Sequence, residues 1–116
     1  FYKDSCGLGD YKMDVHPDLD LMTAPYQIPL GALVPEAGGN LLPACKNIGS
    51  THITNGSLRV HPQEWNIGES AAALVAFCLN NRCQPNEVIA DLERRRRYHG
   101  NEISSRAKRH RFVGAS

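Results

Sequence analysis

No stretch of the sequence is long and apolar enough to span a membrane, since a helical span needs roughly 20 apolar residues. A secretory signal is also lacking, because the segment from Phe1 onward has neither a basic beginning nor an apolar core. We therefore expect no membrane partner. The cellular location stays open, with the cytoplasm favoured.

Cysteine is sparse, and its spacing does not indicate a metal site. The four cysteines are Cys6, Cys45, Cys78 and Cys83. No two of them are separated by two residues, as in zinc motifs, and a disulfide framework is not expected without a secretion signal. We interpret them as small, buried thiols. Asp14, His16 and Asp18 resemble a ligand cluster, but we favour a solvated strand end and a turn, so no metal is expected.

Charge of one sign is not in excess, since 13 Lys and Arg are balanced by 12 Asp and Glu. The distribution is uneven: residues 1–84 carry five basic and eight acidic side chains (net −3), and residues 85–116 carry eight and four (net +4). Arg94 to Arg97 are a rival signal, because such side chains can contact phosphates. Four consecutive residues spread around a helix, however. We interpret them as a solvated helix end before a disordered tail over 104–116, and nucleic acid is not expected as a partner.

Short strands are predicted in the first half of the chain, which at 116 residues is one domain at most or part of one. Apolar and polar side chains alternate over residues 11–15, which is typical of a strand. An edge strand is expected at Tyr26 and Ile28, because Pro29 cannot donate to a central ladder. A turn then leads to a third strand over residues 41–45.

Residues 46–62 are predicted to form a long connection with at most a short inner strand. Asn55-Gly56 within it is a strong turn signal. Arg59 lies between two apolar residues, Leu58 and Val60. Two interpretations of Arg59 stay open: the exposed face of a short strand, and a contact to an anion or a carbonyl group in a ligand pocket.

Two helices are predicted after this connection. From about Trp65 to Asn80-Asn81, apolar residues recur at spacings of three and four, which is helical. Ala71 to Ala73 give this helix a thin face with high helix propensity. A second helix is predicted to begin at Gln84-Pro85, because proline is favoured in the first helical turn.

An ordered string of short motifs runs from residue 40 to residue 72. It reads Asn40-Leu41-Leu42, Lys46-Asn47-Ile48, Ser50-Thr51-His52, Gly56-Ser57-Leu58-Arg59-Val60, Pro62 and Gly68-Glu69-Ser70-Ala71-Ala72. This string resembles the C-terminal flavin-binding segment of FAD-dependent oxidoreductases with a glutathione-reductase-like FAD-binding fold. A fainter likeness at 7–11 and 26–29 extends the resemblance to about residues 5 to 84.

The resemblance implies FAD as the cofactor and hydride transfer to or from a small organic substrate. It places the N-terminal end of the small-residue helix, from Glu64 to Gly68, beside the pyrimidine edge of the flavin ring. Free N–H groups at such an end stabilise negative charge on the ring. The cofactor-binding residues that it implies are Asn47, Ile48, Gly56, Ser57, Arg59, Gly68, Glu69 and Ser70.

His52 is a weak candidate for a catalytic residue, and the catalytic residues are otherwise unknown. The resemblance puts His52 near the flavin, where an imidazole can carry a proton. A hydrogen-bonded structural histidine is the competing interpretation. Cys45 with His52 is a conceivable nucleophile pair.

The dinucleotide-binding half of such a fold is not recognisable in the sequence. FAD needs a strand, a turn and a helix with a glycine fingerprint for its pyrophosphate. The near match Gly7-Leu8-Gly9 has Lys12 in place of the third glycine and no apolar strand before it. We therefore expect an N-terminal dinucleotide-binding part or a partner chain to supply this element, and we predict that the chain alone binds FAD weakly or not at all.

The predicted fold is α/β: a partial FAD/NAD(P)-binding-type domain with short strands, a small-residue helix and a second C-terminal helix. We divide the chain into a residual polar segment with an edge strand (1–30), a flavin-proximal C-terminal segment (31–84), and a basic helix with a disordered tail (85–116). The predicted function is that of the C-terminal FAD-binding portion of a flavin-dependent oxidoreductase. The alternative is a noncatalytic remnant, or an interaction module whose basic tail binds nucleic acid or a partner.

Overall fold

The computed structural model describes residues 2–16, 19–91 and Gly100 of the chain. Four strands, one 3-10 helix and three α-helices lie within these residues. In chain order they are β1 (Ser5–Gly9), β2 (Met13–His16), β3 (Leu19–Leu21), β4 (Tyr26–Pro29), the 3-10 helix (Leu30–Leu33), α1 (His52–Leu58), α2 (His61–Asn81) and α3 (Pro85–Ala90).

The strands form two antiparallel pairs. β1 pairs with β4, with Gly7 opposite Ile28 and Gly9 opposite Tyr26, and β2 pairs with β3. Among the described residues neither pair is extended by a third strand. Every strand therefore has an open edge, which accommodates Pro29. This small mixed architecture of short strands and three α-helices is compatible with a partial α/β domain and confirms the predicted fold class.

The hydrophobic core lies between α2 and the β1–β4 pair. Ile67 and Leu74 of α2 are buried in one cluster with Ile28 of β4. Full burial of such a side chain contributes about 1.5–3 kcal/mol. Ser70, which is fully buried on α2, donates a hydrogen bond from its Oγ to the Cys6 carbonyl of β1 at 2.8 Å. Apolar burial and one satisfied polar contact therefore fix the helix to the sheet.

Helix α2 begins at His61, four residues before the predicted start at Trp65. Its first turn contains Pro62, which is well tolerated there, but the apolar repeat starts later, so periodicity alone put the start too far along the chain. The predicted end is confirmed. The helix ends at Asn81, and Arg82 adopts the left-handed conformation (φ 49°) with its N–H donated to two carbonyls of the last turn.

The prediction of a loop with an inner strand before α2 is wrong. Residues His52–Leu58 form α1, whose N-terminus is capped reciprocally: the Thr54 N–H donates to the Thr51 hydroxyl, and the Thr51 N–H donates to the Thr54 hydroxyl. Asn55-Gly56, expected as a turn, lies inside this helix. Arg59 is its exposed C-terminal cap and not part of a strand.

The strand predicted over residues 41–45 is also wrong, since this segment has no regular structure. Pro43 in its middle lacks the N–H that a strand ladder needs. The segment instead passes close to α2. Leu42 packs against the core, and the Ala44 carbonyl oxygen lies 3.2 Å from the position of a Cβ built on Gly68. Close packing against this segment therefore explains the absence of a side chain at Gly68.

Several other elements agree with the sequence. β2 and β4 lie where strands were predicted, and α3 begins at Pro85 with a reciprocal cap between Gln84 and Glu87. Arg94 to Arg97 and the predicted tail over 104–116 lie outside the described residues. In the part of the chain that the structure describes, no helix is long and apolar enough to cross a membrane.

None of the four cysteines, all of which lie within the described residues, forms a disulfide. Cys6, Cys78 and Cys83 are buried, which confirms the prediction for these three, whereas Cys45 is exposed and the prediction is wrong for it. Cys45 Sγ donates to Glu64 Oε2 at 3.6 Å. Among the described residues, no group of three or more His, Cys, Asp and Glu side chains is arranged to hold a metal ion.

Candidate functional site

A cleft of about 810 Å³ lies between β4, the segment 48–51 and α1. Two tyrosines, two methionines and several aliphatic side chains form most of its walls, and the polar lining residues include threonines, serines and Gln27. None of its lining residues, all within the described part of the chain, carries a charged side chain. We call it the neutral cleft. Its size is in the range of small-molecule sites, about 300–1,000 Å³.

Tyr26 fixes one wall of the neutral cleft. Its hydroxyl donates to the Ser57 carbonyl of α1 at 2.6 Å, which ties β4 to the helix across the cleft. The ring lies over Gly9 of β1, where an added Cβ would overlap the ring atoms. Glycine at this strand position therefore creates the space that the Tyr26 ring occupies.

The segment 48–51 forms the opposite side of the neutral cleft. The Gly49 N–H donates to the Ala32 carbonyl at 2.8 Å, which attaches the segment to the 3-10 helix. Ile48 is buried in the core next to this bond and contributes an apolar surface to the cleft. Leu58, partly buried at the end of α1, adds to the same surface. The cleft walls are thus held by the core and not by loops alone.

A smaller polar pocket of about 370 Å³ adjoins the neutral cleft and shares Ser50 and Thr51 with it. Asp14, His52 and Arg59 are its ionisable residues. Arg59 Nη2 donates to the Asp14 carbonyl at 2.9 Å and to its Oδ2 at 2.7 Å. Both side chains are about half exposed, 47% and 51%, so the ion pair contributes at most about 1 kcal/mol.

Gly56 sets the distance between α1 and β2 beside the polar pocket. A Cβ at this position would lie 2.8 Å from Val15 Cγ1 and 3.1 Å from the Asp14 carbonyl oxygen. The helix therefore approaches the strand as closely as glycine allows. This contact places Asp14 within reach of Arg59, which caps the same helix.

The sequence-predicted site residues of the connecting segment fall around these two cavities. Ile48 and Ser57 line the neutral cleft, and Gly56 and Arg59 line the polar pocket together with the catalytic candidate His52. The structure thus brings these five residues to one side of the molecule. Asn47 is exposed and lines a separate depression beside the 3-10 helix.

The predicted site residues of α2 do not line either cavity. Gly68 approaches the Ala44 carbonyl, and Ser70 is bonded to Cys6 in the core. Glu69 is partly buried on the same helix. The prediction that a helix N-terminus lies at Glu64 to Gly68 is wrong, because α2 begins at His61 and Gly68 belongs to its third turn. The free N–H groups of the helix are therefore not at Gly68.

Glu64 of α2 contacts Cys45 and Lys46 of the 41–46 segment. Its carboxylate is only 9% exposed, and Oε1 lies 3.4 Å from Lys46 Nζ. Oε2 accepts from Cys45 Sγ. The thiol that the sequence paired with His52 therefore donates its hydrogen bond to Glu64 of α2 and not to His52.

Sequence reasoning missed much of the neutral cleft, chiefly Tyr26, Met13, Met22 and Thr54. One signal was present: Thr51 and Thr54 are spaced as a reciprocal helix cap. That spacing predicts α1, which carries Thr54 to the cleft wall. The methionines gave no such signal, because only the tertiary fold brings β2 and the 22–24 segment beside β4.

Comparison with known proteins places the chain in a family. Residues 1–97 match the family model described as FAD dependent oxidoreductase. Searches of curated proteins and of solved structures gave no match. The matched segment contains the neutral cleft, the polar pocket and the whole of α2. The chain therefore belongs to the family of FAD dependent oxidoreductases, whose cofactor is FAD.

Proposed function

We propose that this chain is the C-terminal FAD-binding portion of a flavin-dependent oxidoreductase with a glutathione-reductase-like fold. The observation that supports it most is the neutral cleft, which combines an apolar, aromatic lining with a complete lack of charged lining residues among those described. An uncharged planar ring system such as that of a flavin suits this lining. The family match supplies the identity of the cofactor.

The described residues suit the ring of FAD but not its pyrophosphate. Gly7 and Gly9 lie inside β1, where they contact Asn66 and Tyr26, and not in a turn that opens a helix. The described part of the chain holds no strand, turn and helix with a glycine fingerprint for a pyrophosphate. We therefore assign the dinucleotide half of the cofactor to an N-terminal dinucleotide-binding part or to a partner chain.

Bound FAD supplies a hydride acceptor or donor, and the proposed reaction is hydride transfer with a small organic substrate. Ile48 and Ser57 would line the ring, while Tyr26 keeps the cleft wall in place through its bond to the Ser57 carbonyl. Gly56 and Arg59 act from the polar pocket. His52, which is exposed there, is the residue in position to exchange a proton with solvent.

The other residues implied by the resemblance act more indirectly in this proposal. Gly68 and Ser70 hold α2 against the 41–46 segment and β1, and Glu69 is partly buried between them on the same helix. Asn47 stands at the outer end of the segment that forms the cleft wall. Nothing observed favours the alternative of a noncatalytic remnant or of an interaction module, and the basic run on which that alternative rests lies outside the described residues.

Titration with lumiflavin, which is the ring without ribityl or phosphate groups, tests the proposal. We expect lumiflavin to shift the NMR resonances of residues lining the neutral cleft. FAD should bind this chain no more than about tenfold more tightly, because the residues described offer no pyrophosphate cradle. Ala24→Trp, at an exposed position on the cleft wall, should weaken lumiflavin binding by about tenfold or more.

Ala76→Trp is the matched control, because Ala76 is exposed on α2 and lines none of the cavities described. It should leave the dissociation constant unchanged. Equal binding by both variants would contradict the placement of the ring in the neutral cleft. Micromolar FAD binding by the chain alone, at an affinity far more than tenfold above that of lumiflavin, would contradict the assignment of the pyrophosphate site to another part or chain.

A further inference from the structure

The neutral cleft and the polar pocket adjoin each other at Ser50 and Thr51, which line both. A ligand in the cleft that reaches these two residues therefore lies next to the pocket. The two cavities differ in chemistry: the cleft has no charged lining, whereas the pocket contains Arg59, Asp14 and His52. Together they form a site with an uncharged body and an ionic end.

Arg59 is the group at the ionic end that has unused hydrogen-bonding capacity. A guanidinium has five N–H donors, and the bonds that Arg59 makes to described residues all come from Nη2 to Asp14. Among the described residues, no acceptor takes the Nη1 and Nε donors, which are therefore available to a ligand. A planar carboxylate matches such a fork, because its two oxygens can accept two parallel N–H bonds.

The position of Arg59 is determined by the fold. Arg59 caps α1, and Gly56 in the same helix lies against Val15 and Asp14 of β2 with no room for a Cβ. Asn55 Nδ2 donates to Ser50 Oγ at 3.3 Å, which attaches the helix to the shared rim. The guanidinium is thus anchored in the polar pocket, which adjoins the neutral cleft at Ser50 and Thr51.

We propose that the polar pocket binds the carboxylate of the substrate, and that the enzyme acts on small monocarboxylic acids with an uncharged, apolar body. This inference rests on the proposed function, since it assigns the substrate of that same site. The cleft, at about 810 Å³, is large enough to accept the body of a small substrate beside a ring.

The charge of the pocket favours a monoanion. Because Arg59 and Asp14 carry opposite charges, the pair offers directional N–H donors but no net positive charge, and a singly charged carboxylate costs less to desolvate there than a dianionic phosphate. Asp14 also competes with the ligand for the guanidinium. A carboxylate ligand therefore takes the free N–H groups of Arg59, and its affinity is limited by the neighbouring Asp14 carboxylate.

The test uses phenylacetate and its neutral counterpart phenylacetamide, each titrated into the chain and followed by NMR. We expect phenylacetate to bind about tenfold more tightly than the amide and to shift the resonances of Arg59, Asn55 and Ser50. Arg59→Gln should abolish this preference, because it removes the cation and its fork. Asp14→Asn should strengthen phenylacetate binding about threefold or more, because it removes the competing carboxylate.

Lys3→Gln is the control for charge alone, because Lys3 is exposed and lines neither cavity. It should leave the preference for phenylacetate unchanged. The opposite signs expected for Arg59→Gln and Asp14→Asn separate ligand binding from a structural role, since loss of the ion pair alone would give the same effect in both variants. Equal changes in the two variants would overturn the proposal.

Two further measurements separate this proposal from the proposed function. Loss of lumiflavin binding in Ala24→Trp tests the flavin site independently of Arg59, because Ala24 lines the neutral cleft and not the polar pocket. Inorganic phosphate is the second probe. If it binds at Arg59 more tightly than phenylacetate, the pocket serves a phosphate group of the cofactor and the proposal is wrong.

Discussion

The side of the molecule built on α2 and the side built on α1 are held together in different ways. Helix α2 has 21 residues, buries Ile67, Leu74 and Phe77 in the hydrophobic core, and contacts β1, α3 and the 3-10 helix. Helix α1 has seven residues and is held by a threonine cap, by the close contact at Gly56 and by an exposed ion pair. The polar pocket lies between α1 and β2, and the neutral cleft lies between α1 and β4, so both cavities depend on the helix with the less extensive packing.

The largest effect expected from this comparison comes from the core of α2. Leu74 is completely buried, and Leu74→Ala should lower the free energy of unfolding by about 2–5 kcal/mol, since it removes apolar contacts and leaves a cavity. Urea unfolding followed by circular dichroism measures it. Leu79→Ala on the same helix is the control, because Leu79 is 74% exposed and its truncation should change stability by about 0.5 kcal/mol or less. Similar losses in both variants would show that α2 does not pack as described.

A smaller loss is expected where α1 meets β2. Gly56→Val would place its side chain against Val15 and the Asp14 backbone, and such overpacking costs about 1–3 kcal/mol. The control is Gly31→Val, because a Cβ at Gly31 meets no atom within 4 Å. The same urea experiment compares the two. If Gly56→Val is as stable as the control, α1 does not approach β2 as closely as the structure indicates.

The smallest effect is expected at the cap of α1. Thr51→Ala removes the hydroxyl that accepts the Thr54 N–H and should cost about 1 kcal/mol. Thr51→Ser keeps the hydroxyl and should restore most of that loss. Hydrogen exchange of the α1 amides is the more sensitive measurement, since α1 should exchange faster in Thr51→Ala while α2 stays protected. Unchanged exchange in α1 would show that the cap contributes nothing.

The difference between the two sides also determines what could be predicted from the sequence. A repeat of apolar residues at helical spacing is readable, so α2 and its end were predicted, and Pro85 with its neighbours identified the start of α3. Helix α1 has a weak apolar repeat and contains Asn55-Gly56, whose usual preference for turns is overridden by the cap and by packing on β2. The local preference of Asn55-Gly56 for a turn therefore gave a wrong prediction, because tertiary contacts determine the structure of this segment.

The candidate site was predictable only in part for the same reason. Ile48, Ser57, Gly56 and Arg59 could be named from the string of motifs, and they line the two cavities. The pairing of Arg59 with Asp14 spans 45 positions of sequence and depends on the contact between α1 and β2. No local sequence pattern encodes a contact between residues this far apart in the chain, so the polar pocket could be identified only from the folded structure.

The central claim, that the neutral cleft takes the flavin ring, is tested most directly by locating bound lumiflavin. Intermolecular NOEs between its ring methyl protons and the methyl groups of Ile48, Leu58 and Met13 are predicted, because these side chains line the cleft. The exposed groove beside the end of α2, which Leu79 and Val75 line, offers an alternative apolar surface. NOEs to Leu79 and Val75 without any to Ile48 or Leu58 would contradict the claim.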